Sequence, residues 1–408
     1  MKTNKIELLS PAGDRERLDM ALLYGADAVY LAGRAYGMRA SSANFPDEAL
    51  ASAVEAVHAA GRKLYVTCNT LPREDEMEKL PAYLGFLQEL GVDALIIADL
   101  GVLQAAKKYA PRTARHVSTQ FGVVNSESAR ALYELGADTV VLARELSLEE
   151  IRVIRRHTPP ELRLEAFVHG AMCVSFSGRC LLSNYLTGRD ANRGECAQPC
   201  RWRYHLVEEK RPGQYFEISE DGGTFILNSR DMRMIEHLPE LIEAGVSSLK
   251  IEGRMKSAYY TAVVTNAYRH ALDDALEGRP LDPIWLAETE KLSHRPYSTG
   301  FFFGQPGQHD GEASYSATAD VVAVVEGCDA EGNASLTQRN KFSEGDALEL
   351  LLPEGAPLPF TAEGLRDAEG NAIEDTRRAM MPFLMRLPAR APKGAIVRKN
   401  RTDAAAGR

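Results

Sequence analysis

The sequence predicts an α/β protein, a TIM-like (β/α) barrel followed by a small C-terminal all-β barrel domain. Three observations point there. The first two-thirds of the chain repeats one grammar, in which a short β-rich run ends in small or polar residues and a helical segment follows; parallel strands with right-handed crossovers are the expected result. The runs are continuously apolar, as strands covered on both faces should be. After about residue 293 the grammar changes to short strands separated by Gly, Asp and Asn turns, with no long helical period between them.

In chain order, the run from Ile6 (IELLSPAG) leads into a helix over Asp14–Tyr24, and Asp27–Gly33 precedes one over Pro46–Ala60. Lys63–Asn69 is followed by Glu74–Leu90, and Ala94–Asp99, Arg115–Gln120 and Thr139–Glu145 each carry a helix. Arg163–Gly170 runs into a cysteine-rich segment. Beyond it lie the strand candidates Thr224–Ser229 and Ser248–Glu252, a helix over Met234–Ala244 between them, and a helix over Ser257–Leu276. That is one strand more than eight, so Trp202–Glu208 and Tyr215–Ser219 read as a hairpin beside the barrel, and the identity of the closing strand stays open. The expected organisation is a barrel over residues 1–292 with a Cys-rich insertion at 164–222, a Gly/Pro/aromatic linker at 293–314, and a β domain at 315–408. Its strands fall near Ala317–Val325, Ala334–Thr337, Ala347–Leu352 and Ala395–Val397, and its tail is basic from Arg377 onward.

Composition narrows the function classes. The chain has 408 residues, is 45% hydrophobic, and carries a net charge of −9 with a pI near 5.6. A generally basic nucleic-acid binder is therefore disfavoured, though a local basic patch is not. The opening MKTNKIELLS lacks a signal-peptide core and no run is long enough to span a bilayer, so the expected location is cytoplasmic, with no membrane partner. No HExxH and no GxSxG occurs, which leaves a zincin or a nucleophile-elbow hydrolase without support.

Four of six cysteines crowd into one segment: Cys173, Cys180, Cys196 and Cys200, separated by six, fifteen and three residues. Disulfides are the least favoured account in a reducing compartment. Zinc wants four ligands, often as CxxC pairs, and only the last pair here is close. An iron–sulfur cluster also takes four thiolates and tolerates wider spacing. Buried small residues remain the bland account, suiting Cys68 and Cys328 best. A catalytic thiol would need a base such as His169 or His205.

Barrel active sites lie at the C-terminal ends of the strands. Those ends offer Ser10, Tyr30, Asn69, Ser118, Thr119, Gln120, Arg144, Glu145, Glu165, His169, Asn228, Asp231, Lys250, Glu252, Arg254 and Lys256. The mixture suits an anionic small molecule, although helix capping and mutual pairing account for any single member equally well. Arg201, Trp202, Arg203 and Tyr204 interleave cations with aromatic rings, a pattern that stacks on RNA bases or forms an ordinary amphipathic strand.

At this point a family resemblance is visible. Glu165–Ser183 (EAFVHGAMCVSFSGRCLLS) closely resembles the signature of the U32 family, historically called U32 peptidases or collagenase-like proteases. LLSPAG, the STQ triplet, GRDANRGECAQPCRW and LKIEGRMKS at Leu249–Ser257 extend the likeness along most of the chain. Part of that family carries a protease label. Other members are iron–sulfur proteins that hydroxylate RNA bases or a quinone precursor, and the chain is most similar to the branch that makes 5-hydroxyuridine at the tRNA wobble position with prephenate required. The resemblance implies a 4Fe–4S cluster on Cys173, Cys180 and Cys196, with zinc as the alternative metal. Its fourth ligand is expected near Asn228–Ile235, where Arg233 stands in place of cysteine, so Cys200 becomes a candidate. Arg144, Arg254 or Lys256 would grip the carboxylates of a small anionic co-substrate, and Glu165, His169 or Glu252 would complete the catalytic set. The expected partners are tRNA, bound by Arg201–Tyr204 and the β domain, and an electron-donor protein. A U32-type peptidase and a non-catalytic RNA-binding protein with a structural metal are the competing functions.

Overall fold

The computed structural model describes residues 6–38, 44–173, 175–176, 179–202, 206–207, 215–216, 229–306 and 317–401. Seven parallel strands follow one another around the barrel: β1 (Glu7–Pro11), β2 (Ala28–Leu31), β3 (Lys63–Cys68), β4 (Ala94–Ile97), β5 (Ala114–Val117), β6 (Thr139–Val141) and β7 (Arg163–Ala171). The strand Ser248–Ile251, here β8, pairs in parallel with both β7 and β1 and closes the barrel at eight. Of the surplus candidates, Leu206–Val207 and Tyr215–Phe216 do form a small antiparallel hairpin apart from the barrel. Residues 224–228 lie outside the described residues.

The helices obey the local signals in the sequence. Asp14, Asp99, Asn125, Ser147 and Ser257 each accept an N–H bond from the first turn of the helix they cap, satisfying donors that the helix itself cannot. The single helix expected over Glu74–Leu90 is two, Glu74–Met77 and Leu80–Glu89, with Pro81 in the first turn of the second, where its missing N–H costs nothing.

The barrel interior is layered. Its lower layer is polar: the Glu7 carboxylate accepts from Tyr65 Oη at 2.8 Å and Ser248 Oγ at 3.1 Å, and pairs with Arg163 at 3.3 Å. Burial holds the neighbouring His116 well below its ordinary pKa, at about 3. Above it, Leu9, Ala28, Tyr30, Tyr65, Ala94 and Ile96 form an apolar plug. The upper end is open.

A short strand, Asp231–Arg233, runs antiparallel to the end of β7, and Tyr297–Ser298 pairs with it in turn. The C-terminal domain is one seven-stranded antiparallel sheet. It includes Leu358–Thr361, Arg366–Asp367 and Pro382–Arg386 besides the expected strands. Those three escape a sequence reading because prolines and alternating exposure break their apolar runs. The domain docks on helices Arg15–Leu23 and Ala258–Leu276 of the barrel: Val324, Leu351 and Ile396 join the barrel's outer core, Tyr24 Oη donates to Leu351 O at 3.0 Å, and Asn266 Nδ2 to Leu352 O at 3.2 Å. The fully buried Arg398 forks to Glu288 and Glu349 at 2.6–2.8 Å.

Candidate active site

At the open end of the barrel lies a cavity of about 170 Å³. Its floor is made by side chains from the C-terminal ends of the strands: Tyr30 from β2, Thr67 and Asn69 from β3, Ser118 and Gln120 after β5, Phe167 from β7, and Lys250 and Glu252 from β8. Arg144 and Arg254 reach in from the loops after β6 and β8. The cysteine segment forms the roof, and Cys173, Cys180, Cys196 and Cys200 all line the same cavity.

Each cation is held by specific partners. Lys250 Nζ is 2.8 Å from the buried Glu165 carboxylate and lies over the rings of Tyr30 and Phe167 at 4.6 and 5.4 Å. Arg254 is 4% exposed and donates to Thr67 Oγ1 at 3.1 Å. Arg144 donates to Ala171 O at 3.2 Å and lies over Phe167 at 5.3 Å, while its buried Nε has no partner among the described residues. Facing them, Glu252 accepts from Tyr30 Oη at 3.2 Å. Gly170 has φ +111°, and a Cβ there would sit 2.5 Å from Glu252 O. Only glycine lets β7 approach the Glu252 backbone so closely.

Of the catalytic candidates read from the sequence, Arg144, Glu252 and Arg254 line the cavity and the other three do not. Glu165 is 0% exposed and pairs with Lys250 beneath the cavity. His169 faces away. Strict alternation along β7 would turn it inward with Glu165 and Phe167, but the pairing with β8 slips there, Lys250 opposing Phe167 and Ile251 opposing His169. The bulge turns the ring out among Tyr260, Tyr268 and Tyr297, with Nδ1 3.3 Å from Tyr268 Oη. Burial lowers its pKa to about 3, so it is a neutral core residue rather than a base for the cavity. Lys256 donates outside the barrel to Ser293 O at 3.2 Å. Lys250, Tyr30, Asn69, Ser118 and Gln120 belonged to the rim read from strand ends without being singled out, and Thr67 was missed; its signal was inward alternation between Val66 and Cys68. Cys68 itself is a core residue whose thiol burial raises to about 12.

The cysteine segment is built from tight turns. Backbone N–H groups of Leu182 and Gln198 donate to Cys180 Sγ at 3.4 Å and Cys196 Sγ at 3.3 Å. Hydrogen bonds to sulfur are among the features that tune thiolate-bound clusters. Arg193 forks to Glu76 at 2.8 and 3.0 Å and pins the GRDANRGEC loop to the segment after β3, and that fork lowers the Glu76 pKa. No disulfide joins the cysteines among the described residues. Four thiols line one cavity, but among the described residues no three His, Cys, Asp or Glu side chains are grouped closely enough to hold a metal ion.

Arg233, at the position where a fourth cysteine was expected, is not part of this cavity. Its guanidinium pairs with Glu290, donates to Thr289 Oγ1 at 3.3 Å and lies over Tyr297 at 4.5 Å. No histidine lines the cavity among the described residues, so no thiol–imidazole pair is present there; His205 lies outside them. Of the RNA-binding candidates, Trp202 is 43% exposed, and the Arg201 side chain, Arg203 and Tyr204 lie outside the described residues. The basic tail is largely paired within the protein: Arg377 with Asp375, Lys393 with Glu326, Arg398 with Glu288, Lys399 with Asp346 and Arg401 with Asp320. No helix among the described residues is long and apolar enough to cross a membrane.

Comparison with known proteins gives a consistent set of relatives. Residues 13–312 match the model of peptidase family U32, and residues 317–398 match that family's C-terminal domain. The tRNA hydroxylation protein P1 of Bacillus subtilis is 37% identical over 406 residues, covering 98% of this chain and 96% of the relative. The tRNA hydroxylation protein P of Escherichia coli is 37% identical over 415 residues, covering 90% and 91%. The 23S rRNA 5-hydroxycytidine C2501 synthase of Escherichia coli is 35% identical over 365 residues, covering 86% of this chain and 53% of that protein.

Proposed function

This chain belongs to peptidase family U32, and from that premise we propose that it is an RNA-modifying enzyme that hydroxylates a tRNA uridine at C5, at the wobble position, rather than a peptidase. The observation that carries the reading is its near end-to-end likeness to tRNA hydroxylation proteins. The cavity's thiols share their space with cations and a carboxylate, and among the described residues no histidine lines it.

Exchanging C5–H for C5–OH takes two electrons from the pyrimidine and needs an oxygen donor, and no side chain lining the cavity provides either. Cys173, Cys180, Cys196 and Cys200 would be the thiolates for a 4Fe–4S cluster, which would supply redox chemistry beside the cavity, with the oxygen donor and a two-electron acceptor both coming from outside the protein. Cys200, which lines the cavity, takes the place left by Arg233, which does not. The protein's own residues then bind and orient. Arg144, Lys250 and Arg254 present three cations to a small dicarboxylate of the prephenate kind. Glu165 fixes the Lys250 ammonium, and Thr67 fixes the Arg254 guanidinium. Glu252 stands as the carboxylate that takes the C5 proton, with Tyr30 holding its orientation.

Protein purified without air should contain iron and acid-labile sulfide and show a broad visible absorption. Cys196→Ser and Cys200→Ser should each lose most of it. A colourless protein that takes up no iron on reconstitution contradicts the reading.

A further inference from the structure

We propose that the exposed aromatic rings of the cysteine segment, Phe176 and Tyr185, are a stacking platform that seats unpaired RNA bases beside the cavity mouth. The inference rests on the RNA-hydroxylase reading and adds the residues that choose a single-stranded loop over a duplex.

Tyr185 lies on the helix Leu182–Thr187, three residues after Leu182, which lines the cavity. Residues three and four apart share a helix face, so Tyr185 and Leu186 continue the cavity wall outward to solvent. Tyr185 is 86% exposed, and Leu181, just before the helix, is 72% exposed. Phe176, at 54%, sits on the rim: its Cε1 is 3.4 Å from where a Gly122 Cβ would be. Gly122 ends the turn Thr119–Phe121, whose Thr119 and Gln120 line the cavity. The two rings thus belong to two elements that both border one opening.

Leu181, Tyr185 and Leu186 are exposed together on one short helix and its N-cap, and it is such grouping of apolar side chains, rather than exposure of one, that marks a surface with a partner. Charge selects that partner. Between Cys173 and Trp202 the chain has four arginines, Arg179, Arg189, Arg193 and Arg201, against Asp190 and Glu195; with Arg193 spent on Glu76 the segment still keeps a positive surplus in a protein of net −9. Arg179 and Arg189 are exposed. Aromatic rings interleaved with cations are how proteins hold single-stranded nucleic acid, each ring stacking on one base and the cations following the phosphates. A base in a duplex cannot enter the cavity without leaving its stack, whereas a loop base already exposes both faces.

The test is the affinity of the full chain for a hairpin RNA with a uridine-containing loop, against a blunt duplex of matching composition. Phe176→Ala with Tyr185→Ala should weaken hairpin binding about tenfold or more, with an unchanged thermal melt because both side chains are exposed. Tyr185→Phe should restore most of that ring's share. Arg179→Gln with Arg189→Gln should instead reduce the salt dependence of binding. Unchanged hairpin affinity in the double-alanine variant, while the parent binds, overturns the platform and leaves the proposed function standing; a parent protein that binds neither RNA overturns both. A concentration-dependent dimer that the alanine variant abolishes would assign the rings to a second copy of the chain and also overturn the platform.

Discussion

At the residue scale, the most consequential contact is between Lys250 and Glu165, because one end of it faces the cavity and the other is sealed in the barrel. Removing the lysine strands a carboxylate that is 0% exposed. Lys250→Met should cost about 3–5 kcal/mol in denaturant unfolding, and adding Glu165→Gln should recover much of that. His169 gives a second residue-scale prediction. Burial keeps it and His116 neutral when folded, with pKa values of about 3, while an unfolded histidine titrates near 6.5. The unfolded chain therefore binds more protons between those values. Stability contributed by the neutral rings is fully present above about pH 6.5 and is lost as pH falls toward 3. His169→Gln should flatten part of that decline in melting temperature, and should leave no inflection missing from the pH–rate profile, since the ring never meets the cavity. Sequence could place His169 at the end of a strand but could not foresee its direction, because one extra residue in β7 reverses which face it takes.

At the scale of elements, the cysteine segment and the strand ends cooperate. Arg144, Glu252 and Arg254 were legible from the rule that barrel chemistry sits at strand ends, and all four thiols from their crowding in the chain. Glu165 and Lys256 were misassigned for a simple reason. Glu165 lies deep within the strand Arg163–Ala171 and Lys256 well past the end of Ser248–Ile251, and only the depth of each side chain separates floor, plug and outer surface. The fork from Arg193 to Glu76 is the element-scale contact that holds the Cys196 loop over the barrel. Arg193→Glu should lower iron content per protein, and Glu76→Arg in the same chain should restore it; iron analysis of the three proteins checks this. The pair is half-buried near the surface, where ion pairs are worth about 1 kcal/mol to global stability, so the melting temperature should move little while the iron content falls.

Across the whole molecule, the β domain is fixed rather than tethered. Arg398 is 0% exposed and bonds Glu288 across the junction and Glu349 on the neighbouring strand of its own domain; against the burial that raises it, Lys291 and Arg398 hold the Glu349 carboxyl down at about 2. Arg398→Met should leave the buried Glu288 with Lys291 as its remaining cation, destabilise the junction by about 2–3 kcal/mol in denaturant unfolding, and make the chain between the domains more susceptible to limited proteolysis. A basic tail read along the sequence looks like an RNA grip. The structure spends most of it on acidic neighbours, which a linear reading cannot pair. The barrel and a separate β domain were legible because local periodicity encodes both. The closing strand and the docking were not, because they join residues far apart in the chain. The central claim concerns what the whole assembly does, and mass spectrometry of tRNA nucleosides from cells with and without the gene tests it most directly. The account predicts that 5-hydroxyuridine and its derivatives disappear with the gene, and return with the native chain but not with Cys196→Ser. An unchanged nucleoside profile on deletion would contradict it.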